Sequence, residues 1–249
     1  MSAKTVFITG GSRGIGRAFT LEAARQGWNV AFTWAQQAEA AMQVLAEARA
    51  LAPAQRFEAY ELDVRNSTAV DALADEVIQT FGSIDAVVPN AGVNLNGLAY
   101  SFSNEDWSTV IETNLSGSFY VCRAFLPELV AQRRGRILFI SSVTAEGASG
   151  QAAYAASKAG IVGLAKTLAK EYGPKNISTN VVVPGYFETD MTKNTMSSSL
   201  SEFAVKYCPL RRLGQLDELA KTMCFLIGDG AGFINGDEIR VTGGLDWAP

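Results

Sequence analysis

The chain has 249 residues, of which 48% are hydrophobic and 18% are charged, and its formal net charge is -4. This composition is typical of one soluble globular domain, and the mild acidity without a long Lys/Arg stripe disfavours a nucleic-acid surface. The chain contains no histidine, which excludes a Ser-His-Asp triad and any His-ligated metal site.

Short runs of β-branched or aromatic residues alternate along the chain with longer segments of helical periodicity. Strands are predicted at 6–9, 29–34, 56–63, 84–89, 136–141, 178–183 and 238–242. Helices are predicted at 15–26, 36–51, 67–81, 106–134, 152–172 and 217–227. This alternation is typical of parallel strands joined by right-handed crossovers, so we expect one α/β domain, residues 1–249, with about seven parallel strands.

The turn between the first strand and the first helix, residues 9–16, reads Thr-Gly-Gly-Ser-Arg-Gly-Ile-Gly. Glycines let the backbone turn sharply and approach a pyrophosphate, and the first amides of the helix supply donors and a partial positive charge. The turn therefore predicts a nucleotide-binding site. On these residues alone, a glycine-rich turn that only joins a strand to a helix is the alternative.

Small or polar residues stand at the ends of the next predicted strands. They are Asp63, the run Asn90-Ala91-Gly92, the pair Ser141-Ser142 and the pair Pro184-Gly185. The carboxyl ends of parallel strands meet at one edge of the sheet, where the ligand crevice of such folds lies. Each of these residue types ends strands routinely, so the prediction depends on their joint placement.

Tyr154 and Lys158 lie four residues apart in a predicted helix and therefore share one face. A free phenol has a pKa of about 10, and a nearby ammonium group together with a cationic nicotinamide favours the phenolate. The pair predicts a tyrosine that shuttles protons. The alternative is a half-buried aromatic side chain beside a surface lysine.

Three further features bear on organisation and location. Residues 189–201 have no clear period and are predicted as a mobile lid, within a substrate loop at 186–212, or alternatively as a solvated surface loop. Cys122, Cys208 and Cys224 form no Cys-x-x-Cys pair, so we expect reduced core thiols and no metal site. The chain shows no charged-then-apolar leader and no apolar run of about 18 residues, so we expect a cytoplasmic protein with no membrane segment.

The ordered motifs closely resemble those of the short-chain dehydrogenase/reductase family. They are the turn at 9–16, Asp63-Val64, Asn90-Ala91-Gly92, Asn114 in Thr-Asn-Leu-Ser-Gly, Ser141-Ser142, Tyr154-Ala-Ala-Ser-Lys158, Pro184-Gly185 and the closing Val-Thr-Gly-Gly at 241–244. This resemblance spans essentially the whole chain. It implies a Rossmann-type, doubly wound fold with helices on both faces, and hydride transfer between a nicotinamide and a carbonyl or alcohol carbon.

The resemblance also implies roles for individual residues. Tyr154 protonates the nascent alkoxide, Lys158 holds the nicotinamide ribose and lowers the phenol pKa, Ser142 orients the carbonyl, and Asn114 supports a water that carries protons from Lys158. The implied cofactor contacts are Gly10, Ser12, Arg13, Gly14, Ile15, Gly16, Asp63, Val64, Asn90, Ala91, Gly92, Tyr154, Lys158, Pro184, Gly185 and Thr189.

Two positions depart from the family pattern. The spacing to the tyrosine in many relatives selects Ser141 as the catalytic serine, whereas the strand alternation over 137–141 favours Ser142, which we prefer. Pro89 stands where relatives often have asparagine, and proline lacks an amide donor, so one hydrogen bond must be absent there.

The end of the second predicted strand favours NADPH over NADH. An NAD site commonly has an acidic residue there, which binds the ribose and repels a 2'-phosphate. The segment 32–36, Phe-Thr-Trp-Ala-Gln, has none. Arg13 in the turn can reach a phosphate and Thr33 can donate a hydroxyl. A solvated turn residue is the alternative for Arg13.

Within the family, segments 104–114, 185–192 and 209–214 look most like 3-oxoacyl-acyl-carrier-protein reductases. That resemblance implies reduction of a β-keto thioester to a β-hydroxy thioester in fatty-acid or polyketide assembly. Arg133 and Lys175 match basic residues through which those reductases engage the acidic carrier, and Arg134 and Arg136 add charge nearby. Solvated cations at helix ends are the alternative.

Two other functions stay open. One is a reductase or dehydrogenase for a free small alcohol, sugar or steroid, and the other is a non-catalytic NADP-binding sensor. The presence of Asn114, Ser142, Tyr154 and Lys158 together argues against the sensor. By kinship with similar proteins, whose long helices pair across a twofold axis, we also expect a homotetramer.

Overall fold

Seven parallel strands form one sheet in the computed structural model of the chain, which describes residues 3–188 and 198–246. The strands are β1 Thr5–Ile8, β2 Asn29–Trp34, β3 Phe57–Glu61, β4 Ala86–Val88, β5 Gly135–Ile140, β6 Ile177–Pro184 and β7 Glu238–Val241. Their order in the sheet is β3-β2-β1-β4-β5-β6-β7, and every neighbouring pair is parallel. The predicted α/β fold with about seven parallel strands is confirmed.

Eight α-helices connect and follow these strands in the described ranges. They are α1 Gly14–Arg25, α2 Ala38–Leu51, α3 Ser67–Phe81, α4 Asn104–Ile111, α5 Gly117–Gln132, α6 Ala152–Tyr172, α7 Ser198–Tyr207 and α8 Leu216–Ile227. Asn66 accepts a hydrogen bond from the Ala69 amide at the start of α3, 3.1 Å long, and Ser103 accepts one from the Asp106 amide at the start of α4, 3.0 Å long. These contacts satisfy amides that would otherwise lack a partner at each helix start.

The two faces of the sheet carry separate hydrophobic cores. Because side chains alternate along a strand, β1 sends Val6 and Ile8 to one core and Phe7 to the other. Buried residues of α1, α2 and α8 complete the first core, and those of α3, α5 and α6 complete the second. Helices therefore cover both faces, as the doubly wound fold requires.

The sheet order reverses between β1 and β4, because the chain builds outward from β1 to β3 and then returns to build from β4 to β7. Ligands in open parallel sheets bind beyond the carboxyl ends of the strands at such a reversal. The glycine turn follows β1 and the Asn-Ala-Gly segment follows β4. The topology thus places these two predicted motifs on either side of one crevice.

Two helical predictions need correction. The single helix predicted at 106–134 is divided by a π-helical segment, Glu112–Ser116, that connects α4 to α5. The irregular loop predicted at 189–201 is wrong from Ser198 onwards, where α7 begins, while 189–197 lie outside the described residues. That this segment acts as a lid stays a prediction. α7 is stabilised by the buried Ala204 and by a ring contact, 4.6 Å between centroids, of Phe203 with Tyr207 one turn later.

No helix in the described ranges combines the length and the apolar character that a membrane span requires.

Candidate active site

The turn after β1 is a cradle that only glycines can form. Gly10 and Gly14 have φ angles of +68° and +52°, which L side chains rarely adopt. A Cβ at Gly16 would lie 2.0 Å from the Gly10 carbonyl oxygen, so the first turn of α1 packs directly on the preceding loop. The N-cap of α1, Arg13, makes no capping hydrogen bond through its side chain, and the first turn of the helix contains no acidic residue.

Open amides at the start of α1 and a loop without side chains are the features that a pyrophosphate requires. Ser12 is buried and Ile15 half-buried within this cradle, whereas the side chain of Arg13 is exposed. The cradle fits the phosphates of a nicotinamide dinucleotide, as the sequence predicts.

Thr9 and Asn90 join the glycine turn to the segment that follows β4. Thr9 Oγ1 accepts hydrogen bonds from the Asn90 and Ala91 amides, at 3.0 and 2.9 Å. The Asn90 side chain donates to the carbonyl oxygens of Thr9 and Gly10, at 2.8 and 3.2 Å. In this structure Asn90 and Ala91 therefore hold the shape of the cradle, and their donors are used within the protein. Pro89 contributes no amide to this set, as expected.

Three predicted cofactor residues make contacts inside the protein. Thr33 is buried, and its Oγ1 accepts a hydrogen bond of 3.3 Å from the Gly10 amide. Asp63 pairs with Arg65, whose Nε lies 3.0 Å from both carboxylate oxygens, and this hydrogen bonding lowers the pKa of Asp63. Val64 is buried against α5, where a Cβ at Gly117 would lie 2.7 Å from Val64 Cγ2. Thr33 thus stabilises the glycine turn through the hydrogen bond with the Gly10 amide.

Lys158 is buried at the carboxyl edge of the sheet, beside Tyr154. Its Nζ donates a hydrogen bond of 2.7 Å to the Ile140 carbonyl oxygen at the end of β5 and lies 5.6 Å from the centre of the Tyr154 ring. Burial lowers the pKa of Lys158 to about 8. The sequence places these two residues on one helix face, and the structure confirms that they are neighbours.

Burial dominates the pKa of Tyr154 in the chain by itself. It raises the pKa of the phenol to about 12, and a hydrogen bond with the Ser142 side chain opposes only part of that rise. The lowering predicted from Lys158 together with a cationic nicotinamide stays a prediction. Burial wins because the phenolate loses its hydration within the protein, and the Lys158 ammonium is held by the Ile140 carbonyl oxygen. The chain alone therefore keeps Tyr154 protonated near neutral pH, in the form that donates a proton.

The two candidate serines face different parts of the molecule. Ser141 is buried, and its Oγ donates a 2.9 Å hydrogen bond to the Lys158 carbonyl oxygen, which fastens β5 to α6. Ser142 is half-buried, and its side chain hydrogen-bonds with that of Tyr154. The structure thus brings Ser142, and not Ser141, to the phenol.

Asn114 lies in the π-helical segment and is fully buried. Its Nδ2 donates to the Val93 carbonyl oxygen at 2.9 Å and to Ser157 Oγ at 3.0 Å, and its Oδ1 accepts from the Val93 amide at 2.8 Å. Ser157 Oγ in turn donates to the Tyr154 carbonyl oxygen, at 2.7 Å. Asn114 therefore connects the segment after β4 to the first turn of α6, and the water assigned to it stays a prediction.

The remaining predicted cofactor residues lie along the same crevice. A Cβ at Gly92 would lie 3.2 Å from Asn114 Oδ1, and one at Gly185 would lie 2.9 Å from Thr242 Cα. Both glycines therefore mark close approaches of the backbone to a neighbouring segment. Pro184 ends β6, and Thr189 lies outside the described residues.

Arg133 and Lys175 lie on neighbouring loops at the opposite edge of the sheet. They precede the starts of β5 and β6, both are exposed, and the Asn176 side chain donates a 3.2 Å hydrogen bond to the Arg133 carbonyl oxygen. Ser142 follows the other end of β5, a strand of six residues, which corresponds to about 20 Å. The predicted docking pair is thus separate from Ser142, Tyr154 and Lys158, which together form the Tyr154 cluster.

Sequence reasoning missed two residues of the cluster. Ser157 connects Asn114 to Tyr154, and Thr144 contacts Ser142. Ser157 is visible in the sequence as the polar residue directly before Lys158. Thr144 has only the weaker signal of a hydroxyl two residues after Ser142, a spacing at which local hydrogen bonds are common.

Comparisons with known proteins agree with this geometry. A family model described as short chain dehydrogenase matches residues 4–199. The 3-oxoacyl-[acyl-carrier-protein] reductase FabG of Staphylococcus aureus is 40% identical over 243 residues, which cover 97% of this chain and 98% of the relative. That of Chlamydia trachomatis serovar D is 39% identical over 243 residues, with 97% of each chain covered.

Among solved structures, levodione reductase matches with a TM-score of 0.94 and 29% identity, covering 98% of this chain and 97% of that one. The family model and the relatives span most of the chain, including the glycine cradle and the Tyr154 cluster. This chain therefore belongs to the short-chain dehydrogenase family of nicotinamide-dependent oxidoreductases.

Proposed function

We propose that this protein is an NADPH-dependent reductase of 3-oxoacyl thioesters carried on acyl carrier protein. The observation that carries the chemistry is the cluster of Ser142, Tyr154 and Lys158 at the carboxyl edge of the sheet, beside the glycine cradle. The substrate class is supported by the 40% identity, over nearly the full chain, to a protein named as a 3-oxoacyl-acyl-carrier-protein reductase.

The proposed mechanism assigns one task to each side chain. A nicotinamide dinucleotide held by the glycine cradle would supply the hydride for the carbonyl carbon. Ser142 donates a hydrogen bond to the carbonyl oxygen, and the phenol of Tyr154 gives its proton to the alkoxide that develops there. Lys158, whose pKa is about 8, is mostly cationic at neutral pH and stabilises the phenolate that remains.

Asn114 contributes to the proposed reaction by holding Tyr154 in position. Its hydrogen bonds to Val93 and Ser157 hold the first turn of α6, and therefore Tyr154, at the crevice. Protons return to Tyr154 through Lys158 and the water that we predict near Asn114.

The preference for NADPH is supported by the charges around the adenosine end of the crevice. Arg13 is exposed at the start of α1, no acidic residue occupies the first turn of that helix, and none ends β2. Thr33 is buried beneath the turn, so contact with a 2'-phosphate falls to Arg13. An exposed guanidinium near a 2'-phosphate favours NADP over NAD by a charge-assisted hydrogen bond.

Arg13→Ala tests this preference. Removing a hydrogen bond to a charged group should lower kcat/KM for NADPH by about tenfold or more and leave that for NADH nearly unchanged. Arg25→Ala is the matched control, because Arg25 pairs with Glu22 at the far end of the same helix. Equal losses with both cofactors in Arg13→Ala would contradict the assignment.

Docking of the acidic carrier on Arg133 and Lys175 is proposed on charge alone. Both side chains are exposed, whereas Arg134 nearby forms an ion pair of 2.8 Å with Asp85. Because the pair lies at the amino edge, the acyl group must reach the crevice on a flexible arm. The homotetramer and the cytoplasmic location stay predictions.

A second candidate function is oxidoreduction of a free small ketone or alcohol, such as a sugar, a steroid or another secondary alcohol. The structural similarity to levodione reductase, with a TM-score of 0.94, is the observation that favours it. The non-catalytic sensor is disfavoured because a sensor does not require Ser142, Tyr154 and Lys158 in contact.

An NADPH-oxidation assay separates the two enzyme functions. The panel contains 3-oxoacyl chains of increasing length on acyl carrier protein, the same acyl groups on a short thiol, and levodione. We expect kcat/KM to be highest for a carrier-bound chain. Equal or greater values for a free ketone would overturn the carrier-bound substrate, and absence of turnover on every ketone would overturn the reductase.

A further inference from the structure

Thr144 is a buried residue that no predicted role includes. It lies in the short 3-10 segment Val143–Glu146, directly after Ser142. Its hydroxyl lies 3.0 Å from Ser142 Oγ and donates to it, and its backbone amide donates to the same oxygen at 3.2 Å. One residue therefore directs two donors at the side chain that faces Tyr154.

With the Thr144 hydroxyl assigned as the donor to Ser142 Oγ, the count of donors and acceptors assigns the direction of the Ser142 proton. A serine hydroxyl has one proton and two lone pairs. The Thr144 amide and hydroxyl together occupy both lone pairs, so the Ser142 proton is left to point at a third group. That group is the Tyr154 phenol in the free protein and the ketone oxygen when substrate is bound.

The same two contacts restrict rotation of the Ser142 side chain. A free serine side chain samples three staggered rotamers. The amide alone restrains Oγ weakly at 3.2 Å, and the buried Thr144 hydroxyl supplies the second point of attachment at 3.0 Å. A donor already aimed at the forming oxyanion needs no rearrangement during the reaction.

We propose that Thr144 is a positioning residue that fixes the Ser142 hydroxyl as a hydrogen-bond donor to the ketone oxygen, an inference that rests on the proposed role of Ser142. Thr144 does not contact the substrate. Its contribution passes entirely through Ser142, which sets it apart from a residue that only supports the fold.

Thr144→Val is the decisive variant, because it replaces the hydroxyl by a methyl group and keeps the amide donor. We expect kcat for the best ketone to fall about tenfold, while KM for the ketone and the Kd of NADPH stay within twofold. Thr144→Ser keeps the hydroxyl and should restore most of the activity. Thr167→Val is the control, since the Thr167 hydroxyl only contacts the Gly163 carbonyl oxygen on the exposed face of α6.

A double-mutant cycle with Ser142→Ala tests whether the effect passes through Ser142. Thr144→Val should cause no further loss of kcat in the Ser142→Ala background. A tenfold loss that persists there would overturn the proposal, as would full activity of Thr144→Val or failure of Thr144→Ser to restore it. Should Thr144→Val not fold, Thr144→Ala enters the same cycle.

A crystal structure of Thr144→Val gives a readout that does not require turnover. We expect Ser142 Oγ to occupy more than one rotamer and to lose its single contact with Tyr154, while α6 stays in place. One unchanged Ser142 rotamer would overturn the proposal even where the protein reduces no ketone. Absence of ketone reduction by the unsubstituted protein would instead overturn the proposed function, and the crystal structure would still decide the role of Thr144.

Discussion

The polar side chains of the proposed active site and those of the proposed docking pair lie at opposite edges of the sheet and differ in their burial. At the carboxyl edge, Ser142, Tyr154 and Lys158 are wholly or partly buried, and they contact one another or the backbone. At the amino edge, Lys4 pairs with Asp229, and Arg133 and Lys175 are exposed.

Burial explains why we place the proposed chemistry at the carboxyl edge. It moves the pKa of Lys158 down to about 8 and that of Tyr154 up to about 12, whereas exposed charges keep their hydration and are screened by salt. Substitutions at the carboxyl edge should therefore change the chemical step, and substitutions at the amino edge should change only association with a charged partner.

Tyr154→Phe should give the largest effect at the carboxyl edge. Removing the phenolic proton while keeping the ring should lower kcat by about a thousandfold and leave the Kd of NADPH nearly unchanged, since Tyr154 is the acid that we assign to the developing alkoxide. Stopped-flow turnover and fluorescence titration with NADPH measure the two quantities. Tyr100→Phe, at a side chain that is 88% exposed, is the matched control. Turnover retained in Tyr154→Phe would show that another group supplies the proton.

Ser141 and Ser142, which are adjacent at the end of β5, should differ in whether their substitution changes kcat or stability. Ser142→Ala should lower kcat by about a hundredfold, because it removes a donor to the developing oxyanion. Ser141→Ala should instead lower the free energy of unfolding by about 1 kcal/mol, because it removes a buried contact between β5 and α6, and should change kcat little. Steady-state kinetics and urea unfolding separate the two effects. The reverse pattern would make Ser141 the catalytic serine.

Many of the residues at the carboxyl edge of the sheet can be predicted from the sequence. Strand and helix periodicities define the sheet, and the carboxyl ends of its strands gather Asn90 and Ser142 at one crevice. The helical spacing of Tyr154 and Lys158 alone predicts that they are neighbours.

The rest depends on contacts between distant segments. Asn114 bonds to Val93, which lies on a different segment, and it sits in a π-helical segment inside the stretch that the sequence predicts as one continuous helix. The direction of the Tyr154 pKa shift depends on how much water the folded crevice excludes, which spacing does not encode. Thr144 reaches Ser142 only because the intervening backbone forms a 3-10 turn.

The pH dependence of ketone reduction should reflect Lys158. Burial lowers its pKa from 10.5 to about 8, so the ammonium group is present below that pH and lost above it, while Tyr154, with a pKa of about 12, stays protonated. We expect kcat for reduction to fall up to about tenfold per pH unit above about pH 8. NMR titration of methylated lysines, with the Lys158 signal assigned from its loss in Lys158→Arg, measures the same midpoint. A Lys158 midpoint near 10.5 would contradict the shift.

Substitutions at the amino edge should give the smallest effect, and this effect should be confined to association with the carrier protein. Arg133→Glu with Lys175→Glu should raise KM for carrier-bound substrate by about five- to tenfold at low salt, because charge complementarity acts mainly on encounter. The difference from the unsubstituted protein should shrink as salt is added, since both side chains are exposed. Lys221→Glu is the control for charge reversal, because Lys221 is exposed on α8, which packs against the opposite face of the sheet from α6. The free ketone should show no change in kcat or KM with any of these variants. A loss of kcat on the free ketone in the double variant would mean that the amino edge contributes to the chemical step, and the separation between the two edges would not hold.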